Sequence, residues 1–300
     1  MKKNKTMIVC FTLPATIVFL VMFLYPVVRT IMMSFFTMDS VSASMKEWTF
    51  VGLTNYKDLL NTSIFMTAMG NMLKIWAIGG VMVVSFALLF AVILTNGVRG
   101  KAFWRAMIYL PNIISAVAFA NMWIYYVFQR RFGMLHNIFE SLGLDKLARI
   151  DYMNGDMKFW SLLIAFSFGS VGYFMLIFLS GIERLPRDYF EAATIDGANK
   201  FQQFTRITLP LLKGVFRTVL TFWTVSVVGF FVWSQMWSPI NSESETITPV
   251  VYMYNIVFGN TGGSERMPGR GAAVGILMAL VVLLIFFLVN KLFKEDDLEF

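Results

Sequence analysis

Long apolar runs, broken by short polar stretches, dominate this chain, and they do not alternate as strands would. Six are long enough for a membrane-spanning helix, which needs roughly 20 residues at 1.5 Å each: 7–36, 65–95, 103–128, 159–181, 215–237 and 271–293. The pattern predicts an all-α integral membrane protein, a single domain over residues 1–300 with six transmembrane helices. The first run follows Lys2, Lys3 and Lys5, as in a signal peptide, and Val41-Ser42-Ala43 has the small residues of a cleavage site. That site lies beyond Pro26 and well past the apolar block, which is itself longer than a signal core, so an anchored first helix is expected.

Composition narrows the classes. Of 300 residues, 57% are hydrophobic and 14% charged, whereas a soluble chain is nearer a quarter charged. A soluble or disordered protein is excluded. One Cys (Cys10) and one His (His136) exclude a disulfide framework, a Cys-rich metal site and a two-His metal motif; neither metal nor cofactor is expected.

The net charge of +7 invites a nucleic-acid reading, but in a membrane protein basic residues concentrate in cytoplasmic loops. On the side that holds both termini lie fourteen Lys and Arg residues, six of them from Arg184 to Arg217, against nine on the other side. Both termini are therefore expected in the cytoplasm, and no nucleic-acid partner is expected. Gly97-Val98-Arg99-Gly100-Lys101-Ala102 imitates a phosphate loop. Its glycine spacing is too short, and Ala102 stands where a hydroxyl must reach the metal. Nucleotide hydrolysis is expected on another chain, and this chain is expected not to be an enzyme.

The least loop-like connection is 184–213. Pro186 suits a helix start, Asp188 and Glu191 favour the positive end of its dipole, and Gly197 can take positive φ. A second short helix would align Phe201, Phe204 and Ile207 and stop at Leu209-Pro210. Such an amphipathic hairpin is either an interfacial anchor or an element that docks in a partner's groove; the residues alone leave both open.

Glu191-Ala192-Ala193-Thr194-Ile195-Asp196-Gly197-Ala198, followed by Phe204, Ile207, Leu209 and Pro210, resembles the EAA loop of ABC-importer permeases of the carbohydrate-uptake family. Leu24-Tyr25-Pro26, Ser34-Phe35, Phe50-Val51-Gly52-Leu53, Asn55-Tyr56 and the stretch from Arg105 to Leu110-Pro111 are similar to the maltose- and glycerol-phosphate-transporter type, and together favour the first permease of a heterodimer. The resemblance implies a cytoplasmic coupling-helix loop between helices 4 and 5, a second homologous permease, two ATPase subunits and an external solute-binding protein that delivers a sugar. It implies a multi-pass subunit in the cytoplasmic membrane of a bacterium or archaeon, surrounded by lipid. Carried over by position, Glu191, Ala192, Ala193, Asp196, Gly197 and Ala198 are the expected ATPase-coupling residues. For Asp196 a local cap is an equal alternative.

Polar and aromatic residues inside spans are the default suspects for a substrate path. Tyr173 in the fourth span, Trp223, Ser226, Trp233 and Gln235 in the fifth, and Asn121 in the third are the candidates. Helix packing or an interfacial aromatic belt is the competing explanation for each, with Trp233 and Trp237 the expected belt members. Gly271, Gly275 and Ala279 recur every four residues and allow close backbone contact, either within the chain or with the partner permease. One departure from the resembled family is the segment 237–245, which lacks a glycine-rich Thr-x-Gly-Gly-Pro stretch. The rival classes are an ABC importer for a non-sugar solute and a self-sufficient homodimeric secondary transporter, which would call for internal repeats or intramembrane ions. An intramembrane enzyme would need a His, Ser or acidic cluster at membrane depth, and no acid lies inside any of the six runs.

Overall fold

The computed structural model describes residues 5–239, 243–259 and 266–293. Helices α1 (Met7–Met33), α2 (Thr54–Asn61) and α3 (Ser63–Thr95) come first, with the two-stranded pair β1 (Phe36–Thr37) and β2 (Thr49–Phe50) between α1 and α2. Then follow α4 (Lys101–Ile113), α5 (Ala116–Val127), α6 (Met134–Ser141), α7 (Asp145–Ala148) and α8 (Asp156–Glu183). The chain continues through α9 (Arg187–Ile195), α10 (Lys200–Leu211), α11 (Lys213–Val228) and α12 (Val232–Trp237) to α13 (Pro249–Phe258) and α14 (Pro268–Leu292).

Four helices, α1, α3, α8 and α14, are long and apolar enough to cross a membrane singly, and the bent pairs α4/α5 and α10/α11 raise the number to six. Two expected spans need correction. The run 103–128 is two helices inclined at 99°, because Pro111 sits in a 3-10 turn and Ile114 and Ser115 take extended backbone, ψ 137° and 134°. The run 215–237 ends its main helix at Val228, where Gly229 caps it, and resumes as α12.

The chain divides into two compact units. In the first, residues 1–66 with 252–280, Asn55 Nδ2 donates to the carbonyls of Ser34 (2.9 Å) and Phe36 (3.0 Å), tying α2 to the turn after α1. Met33, Met38, Trp48 and Ala272 form a small buried cluster. Gly269 lets the start of α14 approach Phe36, whose carbonyl a Cβ there would overlap. Arg270 and Asp58 form an ion pair at 2.6 Å. Cβ atoms on Gly271 and Gly275 would meet Val257 and Met253 of α13, so this small-residue stripe makes its close contact within the chain.

In the second unit, residues 67–251 with 281–300, α8 is the central element. It is 56% buried over its apolar window, against 28% for α3. It packs along α3 and against α4, α11 and α12. Close approach is permitted where side chains are missing: a Cβ on Gly80 would lie 2.7 Å from the Trp223 indole nitrogen, and one on Gly172 would collide with the backbone of Ile108 and Tyr109. Trp223 donates to the Trp76 carbonyl (2.9 Å) at the π turn of α3, and Trp76 donates to Thr224 Oγ1 (2.9 Å). Both indole N–H groups are thereby paired, as buried donors require.

Candidate functional site: a pinned hairpin and a transmembrane cleft

Residues 184–212 fold as the expected helix, turn and helix. Pro186 caps α9, with Asp188 in its first turn. Asp196 closes the helix at the C-cap, and Gly197 takes φ +79°, the left-handed conformation that glycine adopts without steric cost. The Ala198 amide then donates to Ala193 O (2.8 Å), the long bond of a Schellman-type ending. Asn199 opens α10 with a reciprocal capping box, its Oδ1 accepting from the Gln202 amide (2.9 Å) while Gln202 Oε1 accepts from the Asn199 amide (2.8 Å).

The pin of the hairpin is Gln203, which is buried; its Nε2 donates to Thr194 Oγ1 (3.0 Å) and to Ala198 O (3.2 Å). Sequence reasoning passed over this residue, although the Asn199-x-x-Gln202 capping signature next to it was readable. Expected termination at Pro210 is also corrected: α10 continues through Pro210 to Leu211. A π turn over Phe204–Thr208, in which the Leu209 amide donates to Phe204 O, accommodates the residue that lacks an N–H.

Glu191, Ala192, Asp196 and Gly197 lie exposed, and Ala193 and Ala198 are half-buried. Beside them stand two apolar side chains open to solvent, Ile195 at 86% and Phe201 at 72% exposure. The hairpin's base is tied to the α3–α4 turn by an ion pair between Lys101 and Glu183. A groove of about 390 Å³ runs between them, bordered by Asn96, Lys101, Arg187, Lys200 and Gln203.

The second feature is a cleft of about 340 Å³, within the range of small-molecule sites. Of the six path candidates it brings together three: Tyr173, Ser226 and Trp233. The Tyr173 ring is 39% exposed, and Trp233 packs edge-on against Phe119 (6.0 Å) and Phe166 (5.7 Å). Trp223 is not at the cleft: it is 1% exposed and wedged between α3 and α8. Gln235 lies half-buried on α12 near Pro239 O (3.4 Å), and Asn121 half-buried on α5; neither lines the cleft. Asn112, absent from the sequence-based candidates, does line it; its Nδ2 donates to Gly169 O (2.6 Å) across to α8.

The aromatic belt expectation is corrected for Trp237, which is 1% exposed and donates to Ser161 Oγ (2.9 Å). The divergent segment after α12 is anchored where it is described. Asn71 Nδ2 donates to Ser244 O (2.7 Å) and Ile247 O (3.1 Å), and the buried Lys158 ammonium pairs with Glu243 at 2.6 Å. Residues 240–242 of it lie outside the described residues.

Residues 84–295 match the model of the family described as "Binding-protein-dependent transport system inner membrane component". The arabinooligosaccharides transport system permease protein AraP of Bacillus subtilis is 30% identical over 291 residues, covering 94% of this chain and 87% of its own length. The diacetylchitobiose uptake system permease protein NgcF of Streptomyces coelicolor is 25% identical over 82% of this chain and 72% of its own. In fold, the chain superimposes on a chain of a bacterial alginate ABC transporter, solved with an alginate pentasaccharide-bound periplasmic protein, with TM-score 0.80 and 20% identity, covering 97% of this chain and 95% of that one.

Proposed function

This chain belongs to the family of binding-protein-dependent transport system inner membrane components, and from that premise we propose that it is a permease subunit of an ATP-driven sugar or oligosaccharide importer. In this reading it pairs with a second permease, two ATPase subunits bind at the cytoplasmic face, and an external solute-binding protein delivers the sugar. Both termini and the 184–212 hairpin face the cytoplasm, in keeping with the basic residues there. The sugar class is supported by relatives named for arabinooligosaccharide transport and diacetylchitobiose uptake.

The observation that carries the reading is the hairpin itself: an exposed tip bearing Glu191, Ile195 and Phe201 on a frame held rigid by Gln203 and the Asn199 capping box. Ile195 and Phe201 fill an apolar groove on the ATPase, Glu191 pairs with a basic group there, and Ala192 permits close approach. When ATP closes the ATPases, the hairpin moves as one body. Because α10 runs into α11 through a 67° bend, that displacement reaches Ser226 at the cleft and alternately opens and closes it. Hydrolysis stays on the partner subunits.

Purification of the chain in mild detergent from its native membrane, with the co-purifying chains identified by mass spectrometry, tests this. An ATPase and a second permease of similar length are expected. A chain recovered alone or as a homodimer without an ATPase overturns the reading.

A further inference from the structure

The cleft that holds Tyr173, Ser226 and Trp233 has a chemical character that its position alone does not convey. Among the described residues, none of the twelve that line it is charged. Its polar side-chain groups are neutral: the Asn112 amide, the Trp233 indole N–H and the hydroxyls of Ser170, Tyr173 and Ser226. Ser170 and Ser226 donate to their own helix carbonyls (2.8 and 2.9 Å), which leaves their oxygens as acceptors. Asn112 Oδ1 and the Tyr173 hydroxyl make no hydrogen bond among the described residues.

The break between α4 and α5 lies in the same wall, with Pro111, Asn112, Ile114 and Ala116 all lining the cleft. Ser115 caps α5 without a side-chain hydrogen bond, and the first helical bond is from the Phe119 amide to Ser115 O (2.9 Å). The amides of Ala116, Val117 and Ala118 therefore have no partner in the helix. Non-helical backbone at membrane depth is tolerated where it lines a polar cavity, and a sugar, with a hydroxyl on nearly every carbon, meets that need.

Resting on the reading that this cleft is on the sugar path, we infer that the α4–α5 break is part of the saccharide-binding wall and that the cleft selects uncharged saccharides over those bearing carboxylates. Asn112 and the opening amides of α5 take hydroxyls, and Tyr173 and Trp233 take the apolar ring faces. On this wall a carboxylate would lose its hydration with no cation from this chain to replace it. The partial charge of the helix start returns less to an anion than the lost hydration of a full carboxylate costs, so desolvation wins.

The assembled permease–ATPase complex, without its binding protein, is titrated calorimetrically with xylotriose, maltotriose and cellotriose, and separately with trigalacturonate. A neutral trisaccharide binds at least about tenfold more tightly than trigalacturonate, Asn112→Ala weakens the neutral ligand by about tenfold, and Ser226→Arg raises the affinity for trigalacturonate. Equal affinity of wild type for both classes, or unchanged binding by a folded Asn112→Ala complex, overturns the inference and leaves the transport reading intact. Binding of neither class, together with uptake unchanged by Tyr173→Ala, removes the cleft from the sugar path and this inference with it.

Discussion

The 184–212 hairpin and the wall of the cleft are both held by side-chain hydrogen bonds, but over very different distances along the chain. Within the hairpin, Gln203 reaches residues nine and five positions away, and the Asn199 capping box spans three. In the membrane region, Trp223 reaches back 147 residues to Trp76 and Asn112 forward 57 to Gly169. The hairpin is thus a local structure presented on a scaffold, whereas the cleft wall exists only once distant helices have packed. Damage to the first should cost function and spare the fold; damage to the second should cost both.

The widest separation is expected between two glycine substitutions. Gly172→Leu drives a side chain into the backbone of Ile108 and Tyr109, which a repacked rotamer cannot relieve, at a cost of about 3 kcal/mol or more; no monodisperse protein should be recovered by size exclusion. Gly197→Val strains a φ of +79° in open space, about 1–2 kcal/mol. It should purify with a near-normal melt and yet lose uptake by at least about tenfold. If both variants melted alike, or if Gly197→Val transported normally, the division between local and long-range structure would not hold.

A smaller effect is expected at the ion pair that anchors the segment after α12. Glu243→Gln leaves the Lys158 side chain, 8% exposed, without its carboxylate, at roughly 1–3 kcal/mol. Lys158→Met removes the charge as well and should lower the melting temperature less. Thermal unfolding followed by tryptophan fluorescence decides, and a larger drop for Lys158→Met would mean that the alkyl stem, rather than the pair, holds the segment. The smallest effect is expected for Asn199→Ala, which removes one cap bond worth about 1 kcal/mol. Amide hydrogen exchange at Gln202 should quicken while the global melt stays put; a shifted melt would show that the hairpin is not an independent unit.

Legibility in the sequence followed the same division. The hairpin could be read because its determinants are neighbours: Pro186, Asp188, Gly197 and the EAA stretch stand within about a dozen residues of one another. Gln203 escaped because a glutamine on a helix gives no local sign of burial. In the membrane region, depth along a helix was readable but direction was not. A tryptophan at mid-span reads the same whether it faces a cleft, as Trp233 does, or fills a gap left by Gly79 and Gly80, as Trp223 does. Asn112 was passed over because its importance depends on a 99° break that turns the residues after Pro111 toward α8.

Apolar run length by itself determined that this chain lives in a membrane as helices, since the backbone there is satisfied only in helices or closed barrels, and barrel strands would alternate in short segments. The EAA stretch by itself marked the family and the segment expected to meet a partner. Which of the polar and aromatic side chains share a cleft was decided only by tertiary structure. A helix carries its residues around its whole circumference, and which side faces a cavity is settled by the shapes of its neighbours, above all where Gly80 and Gly172 let them come close.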